Sequence, residues 1–236
     1  MLFDILQCMK KGKFIVIDGT DGSGKATQVA LLAARLKKEG KTVKLVDFPE
    51  YYKNFFGKFI GHCLTEQYYN FINVHPKIAS VLYAADRFES KDQIESWIKK
   101  GYVVIANRYV SANQIHQGGK IKDTKKRKEF LKWLDEMEHK VFGIPRPDVV
   151  LYLSVPFEVS QKMMKERNAT AKRNYAGSKK DAHEVDVAFQ KNSRESALWL
   201  SKTLPYFIKI DCTKKAQILS REEIHEKVYE QVTKLK

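Results

Sequence analysis

Short apolar runs alternate with helical periodicities along this chain. Lys13–Asp18 (KFIVID) is a β-branched, aromatic run that ends in a glycine-rich turn, and Ala26–Lys38 follows with apolar residues at helical spacing. Gly40 suits a helix stop, and Thr42–Phe48 (TVKLVDF) reads as a second strand closed by Pro49. Lys77–Lys100 carries Ile78, Leu82, Ala85, Ile94, Trp97 and Ile98 as one or two helices, and Gly101 introduces a third strand, Tyr102–Ala106. Glu129–Phe142 is amphipathic and ends before Pro145 and Pro147. Val149–Val155 predicts a fourth strand with a helix initiated at Pro156, and Phe207–Asp211 a fifth, with a last helix from Ser220. Strands separated by helices predict an α/β fold in three layers, a mostly parallel five-stranded sheet with helices on both faces.

That pattern assigns residues 13–236 to a single domain behind an N-terminal extension, residues 1–12. Two segments depart from it. Residues 165–181, KERNATAKRNYAGSKKD, are polar, basic and aperiodic, and no second core follows them, so they read as a short basic lid. Lys120–Lys128 (KIKDTKKRK) is the densest basic run and reads as a solvated loop and helix start. With 43 Lys and Arg against 28 Asp and Glu, the net charge of +15 favours anionic partners without choosing between nucleotides and nucleic acid. Cys8, Cys63 and Cys212 are odd in number and lack metal-ligand spacing, which points to reduced thiols and a cytoplasmic setting. No apolar run approaches the roughly 18 residues of a membrane span, and Met1–Lys13 lacks the parts of a signal peptide.

The chemistry starts at the turn after the first strand. Gly19-Thr20-Asp21-Gly22-Ser23-Gly24-Lys25 fits G-x-x-x-x-G-K and is followed by Ala26-Thr27 at the start of a predicted helix. Glycines let backbone N–H groups turn toward one point, the helix N-terminus adds partial positive charge, and the lysine reaches the β- and γ-phosphates of a nucleoside triphosphate. These nine residues, 19–27, are the candidate ATP site. Ala26 stands where the pattern expects a hydroxyl ligand for Mg²⁺, and Thr27 lies one residue, about 100° of helix, further on.

A P-loop alone does not identify the phosphoryl acceptor. Phe48-Pro49, Tyr83-Ala84-Ala85-Asp86-Arg87, Asn107-Arg108-Tyr109, Gln117-Gly118-Gly119 and Asp181-Ala182-His183-Glu184 follow the P-loop in the order and spacing of thymidylate kinases, and the chain resembles that family over nearly its whole length. The resemblance implies a P-loop kinase that moves the γ-phosphoryl group of ATP to thymidine monophosphate (dTMP) with Mg²⁺, within dTTP synthesis, in a cytoplasmic enzyme that is commonly a homodimer. It implies that Tyr83 stacks on thymine, Arg87 bonds the base edge, Phe48 walls the pocket, and Asn113 and Gln117 lie near base and sugar. By the same resemblance Arg108 grips the acceptor phosphate and the transferring group. Asp21 contacts the acceptor sugar or, through water, the metal; no direct metal ligand is assigned. Gly22 places the chain with relatives whose catalytic cations sit on the lid, here Arg167 and Arg173, with Lys172, Lys179 and Lys180 beside them.

The chain departs from the family in four places. Asn107 replaces a usual aspartate, Tyr51 a usual arginine, His116 a frequent tyrosine that disfavours a 2′-hydroxyl, and Ala26 the hydroxyl residue. Three other readings stay open: a kinase for another nucleoside monophosphate, a non-catalytic relative, and a nucleic-acid-binding P-loop protein. The last lacks a recognisable binding module or aromatic interleaving in the basic run.

Overall fold

Side chains on successive strand residues point to opposite faces, and this alternation splits one sheet into two cores. In the computed structural model, which describes residues 12–65, 71–170, 186–215 and 217–235, the strands are β1 Lys13–Asp18, β2 Val43–Asp47, β3 Val103–Asn107, β4 Val149–Ser154 and β5 Phe207–Asp211. They form one sheet in the order β2-β3-β1-β4-β5, every pairing parallel. The fold class read from the sequence is therefore correct.

Phe14, Val16, Val104, Ala106, Val150 and Tyr152 face one way. Against them pack Ala84 of α3 (Pro76–Glu89), Ile94 and Ile98 of α4 (Lys91–Lys99), Phe130 and Leu134 of α6 (Thr124–Glu136), and Ala197 and Leu200 of α8 (Val187–Thr203). Ile15, Ile17, Ile105, Leu151 and Leu153 face the other way. They meet Val29, Leu32 and Leu36 of α1 (Lys25–Lys38) and Ile224 and Val228 of α9 (Arg221–Thr233). Both faces of β1 and β4 are covered, which explains why those strands read as near-continuous apolar runs.

Helix α2 (Phe55–Leu64) was not expected from the sequence; it packs Ile60, Cys63 and Leu64 against Phe71 and Ala79 beside the main cores. Asn54 caps it, accepting from Gly57 N at 2.7 Å. The segment Lys77–Lys100 resolves into two helices that meet at Ser90. The basic run is loop until Asp123, whose carboxylate accepts from Lys126 N and starts α6 four residues before the end of that run. Two π-helical turns, Asn113–Gln117 after the short helix α5 (Val110–Ala112) and Met137–Val141 after α6, face the site. Helix α7 (Phe157–Thr170) takes in the first residues of the expected lid; the rest of it, and residues 1–11, lie outside the described residues.

Candidate active site

The glycine-rich turn leaves the carboxyl end of β1, the central strand, where open parallel sheets place their ligand crevices. Gly22 and Gly24 adopt positive φ, 77° and 84°, which a side chain would strain. Gly22 is also closed sterically, since a Cβ there would sit 2.3 Å from the carbonyl oxygen of Ser160 in α7. A basic residue in the loop at this position is therefore excluded by packing.

No side chain caps the start of α1, and its first turn holds no acidic residue. Gln28 N bonds Gly24 O in its first turn, and the helix N-terminus ahead of it turns the positive end of the dipole toward the loop. Lys25 donates from Nζ to Gly19 O and Thr20 O, at 2.9 Å each, and so holds its ammonium inside the loop's own curve. The arrangement is a polyphosphate cradle.

Carboxylates surround this cradle. Asp18 is fully buried, accepting from Ser111 Oγ at 2.5 Å and Gly19 N at 2.8 Å; burial raises its pKa, while Arg108, Ser111 and Lys25 pull the other way. Asp21 accepts from Arg108 Nη2 at 2.6 Å. Arg108 itself has φ 63°, a left-handed conformation that costs a non-glycine residue about 1–2 kcal/mol. Its N–H bonds Ile17 O at 3.0 Å, so the end of β1 fixes the turn that aims this guanidinium at the P-loop. Asn107 does not leave its neighbourhood without a carboxylate. It lies in register with Asp47 across the β2–β3 ladder and donates a side-chain hydrogen bond to it, and Asp47 is exposed while facing the charges of Arg108 and Lys25.

Beside the cradle opens a cleft. Asp21, Phe48, Tyr83, Arg87, Arg108, Asn113 and Gln117, the seven acceptor-site residues named from the sequence, all line it, together with Tyr51 and His116. Phe48 is held by Tyr109, at 5.6 Å between ring centroids, and Tyr109 by Phe14 at 4.8 Å. Tyr83 packs against Phe71 at 5.9 Å and keeps part of its ring open. His116 stacks on Phe189 and meets Ser193 Oγ at 3.0 Å. Because that hydroxyl donates to Phe189 O, it accepts from the histidine, which places the ring proton on Nδ1. Gln117 is buried, and among the described residues its Oε1 has no hydrogen-bond partner.

Arg87 pairs with neither Asp86 nor Glu89. Arg87 is 1% exposed as a residue, and its guanidinium grips Glu138, in the second π-helical turn, through Nε at 2.9 Å and through Nη2 in a shorter bond. Asp86 turns away and accepts from Asn54 Nδ2 at 2.8 Å and Glu50 N at 3.2 Å, fixing the Phe48–Tyr51 wall of the cleft to α3. Burial pushes its pKa up to about 6.

Sequence reasoning missed Glu138, Asp86, Asp47 and Asp18. For Glu138 a signal existed: it lies eight residues after Phe130 and four after Leu134, on the apolar stripe of its helix, where a carboxylate needs a buried partner. Of the lid pair, the backbone of Arg167 continues α7, its side chain lies outside the described residues, and Arg173 lies outside them altogether.

Comparison with known proteins follows the same outline. The family model described as Thymidylate kinase matches residues 17–228. A thymidylate kinase of Plasmodium falciparum is 30% identical over 233 residues, covering 96% of this chain and 92% of its own. One from Thermosipho africanus is 28% identical, covering 90% of this chain and 98% of its own. A solved structure of thymidylate kinase from Candida albicans superposes with a TM-score of 0.71 at 23% identity, covering 94% of this chain and 92% of that one.

Proposed function

Since the chain belongs to the thymidylate kinase family, we propose that it transfers the γ-phosphoryl group of ATP to the 5′-phosphate of dTMP, giving dTDP and ADP. The observation that carries this reading is the convergence of Asp21, Phe48, Tyr83, Arg87, Arg108, Asn113 and Gln117 on one cleft whose phosphate end is the P-loop. Residues 19–27 hold the phosphates of ATP, and Lys25 exchanges its loop carbonyls for β- and γ-oxygens. Arg108, already paired with a carboxylate, exchanges it for the acceptor phosphate and the moving group, for which its planar fork is suited. Tyr83 and Phe48 sandwich the base, and Arg87, Asn113 and Gln117 meet its edge and the sugar. The acceptor oxygen is anionic at neutral pH, so positioning and charge neutralisation supply the catalysis without a general base. Arg167 and Arg173, on a lid over 165–181, add charge on closure and exclude water; 13–236 then form the kinase domain.

The donor set suits magnesium: oxygen ligands only, and among the described residues no cage of three or more clustered ligands, as befits an ion held largely by phosphates and water. Asp47 and Asp21 are the carboxylates placed to meet its water shell. Magnesium held there would supply neutralisation of the charge developing on the phosphates, with Asp47 and Asp21 as the residues toward its waters. Exposed Ile78, Val81 and Phe88 fall on one face of α3 and support pairing with a second copy. Among the described residues no helix is long and apolar enough to cross a membrane; reduced buried thiols at Cys63 and Cys212 support a cytoplasmic setting. Steady-state rates with ATP, Mg²⁺ and a panel of monophosphates test the reading: dTMP should give the highest kcat/KM, and a purine monophosphate leading the panel would replace it.

A further inference from the structure

Glu138 is completely buried, yet it reaches the cleft through two residues that line it. Its Oε2 accepts from Arg87 Nε, and its Oε1 accepts both from Arg87 Nη2 and from Asn113 Nδ2, the last at 2.9 Å. The other hydrogen of Asn113 Nδ2 goes to the carbonyl of Ser80 at 3.2 Å. Two acceptors thus flank one end of this amide, and turning it over would press Oδ1 against both. The orientation is fixed by its partners: Nδ2 is spent inside the protein and Oδ1 is left for a ligand. Among the described residues Oδ1 makes no hydrogen bond, and neither does Nη1 of Arg87. The cleft therefore offers one donor, from Arg87, beside one acceptor, from Asn113, and both assignments trace to the same carboxylate.

A pyrimidine edge comes in two polarities. Thymine and uracil present an acceptor at C4 and an N–H at N3; cytosine presents an amino group at C4 and a bare N3. We propose that Glu138 is a positioning residue that sets the polarity of the base site, holding Arg87 as donor and Asn113 as acceptor so that a 4-keto pyrimidine monophosphate is taken and a 4-amino one refused. The inference rests on the dTMP reading and deepens it. A site built to hydrogen-bond one polarity leaves its own buried groups unpaired against the other, which is how large selectivities arise without an editing step.

Glu138→Gln keeps the shape and removes the property. The introduced amide has one acceptor and one donor, so whichever way it sits its NH2 meets an N–H of Arg87, and one side chain can no longer hold Arg87 by both nitrogens and Asn113 as well. The test measures kcat/KM for dTMP, dUMP and dCMP in wild type and Glu138→Gln, with KM for ATP as the control for general damage. In wild type, dTMP and dUMP should exceed dCMP by at least about 10²-fold, more than a hydrophobic pocket alone supplies and toward the roughly 10⁴–10⁵ of sites built to read a hydrogen-bonding group. The variant should lose about ten-fold or more of that ratio through KM for the monophosphate, with KM for ATP unchanged. A variant that keeps the wild-type ratio overturns the role of Glu138 and leaves the dTMP reading standing. Wild type that uses none of the pyrimidines overturns both. Should the variant fail to fold, NMR of the wild-type protein decides: the Asn113 side-chain amide protons, bonded to Glu138 and Ser80, should exchange slowly in the free protein before any dTMP is added. Fast exchange in the free protein would show that Nδ2 is open to the cleft and would refute the proposal.

Discussion

Lys25 is buried and bonded to Gly19 O and Thr20 O, so its loss touches the loop as well as the ligand. Gly19 and Thr20 are buried, so Lys25→Ala strips two buried carbonyls of their donor and should lower stability by about 1–3 kcal/mol while turnover falls by about 10²–10³, as for loss of one preorganised donor. Urea unfolding and steady-state rates read the two effects, and full turnover would contradict the assignment. Asp47 faces Arg108 and Lys25 and takes the hydrogen bond of Asn107, so the carboxylate expected at position 107 has a neighbour across the ladder. Asp47→Asn should raise the Mg²⁺ concentration for half-maximal rate severalfold and shrink the magnesium-dependent part of ADP affinity in calorimetry. No change in either would place Asp47 outside the metal's surroundings. Lys25 was legible in the sequence because its role follows from a local pattern. Asp47 and Glu138 were not, because their partners Asn107 and Arg87 lie far along the chain and only the fold joins them.

At the level of elements, the contact of the glycine loop with α7 and the tie from α3 to the cleft wall each give a measurable consequence. Gly22→Ala forces a Cβ to within 2.3 Å of Ser160 O at a φ of 77°, so α7 must move off the loop. Strain and overpacking of this kind cost about 1–3 kcal/mol, and KM for ATP should rise with the fall in melting temperature; a silent substitution would show that the loop and α7 are not packed. Asp86 binds its proton more tightly folded than unfolded, since burial raises its pKa from 3.8 to about 6. Stability from this group is thus greatest below about pH 4, falls as pH rises toward 6, and is level above, a span on the order of 3 kcal/mol. The difference in melting temperature between wild type and Asp86→Asn should decline over that interval and flatten above it; a difference independent of pH would contradict the shift. The strands and α1 were readable from period and turn residues, because burial on both faces writes apolar runs directly into β1 and β4. Helix α2 escaped notice because its apolar run FFGKFIGHCL contains two glycines and a histidine, and tertiary packing against α3 rather than local preference holds it.

For the whole molecule, part of the +15 charge has a local use. Within the basic run Lys120 donates to Val74 O at 3.0 Å, and burial pulls its pKa down to about 8. Arg127 donates to Ile121 O at 2.8 Å and lies over Trp199. Two of its cations are thus committed to the fold, while Lys25 and Arg108 gather at the phosphate end of the cleft. The family and the outline of the site were legible because P-loop chemistry depends on residues close in sequence, whereas the base edge is assembled from α3 and both π-helical turns. The central claim is that one phosphoryl group passes directly from ATP to a pyrimidine monophosphate seated beside the P-loop. Phosphorus-31 NMR of wild-type protein with ATP, Mg²⁺ and dTMP observes that transfer itself. The resonances of ATP γ-phosphate and dTMP should fall together while the β-phosphate of dTDP grows in step with ADP, with no inorganic phosphate accumulating. Release of inorganic phosphate with dTMP unchanged, or no change in any resonance, would contradict it.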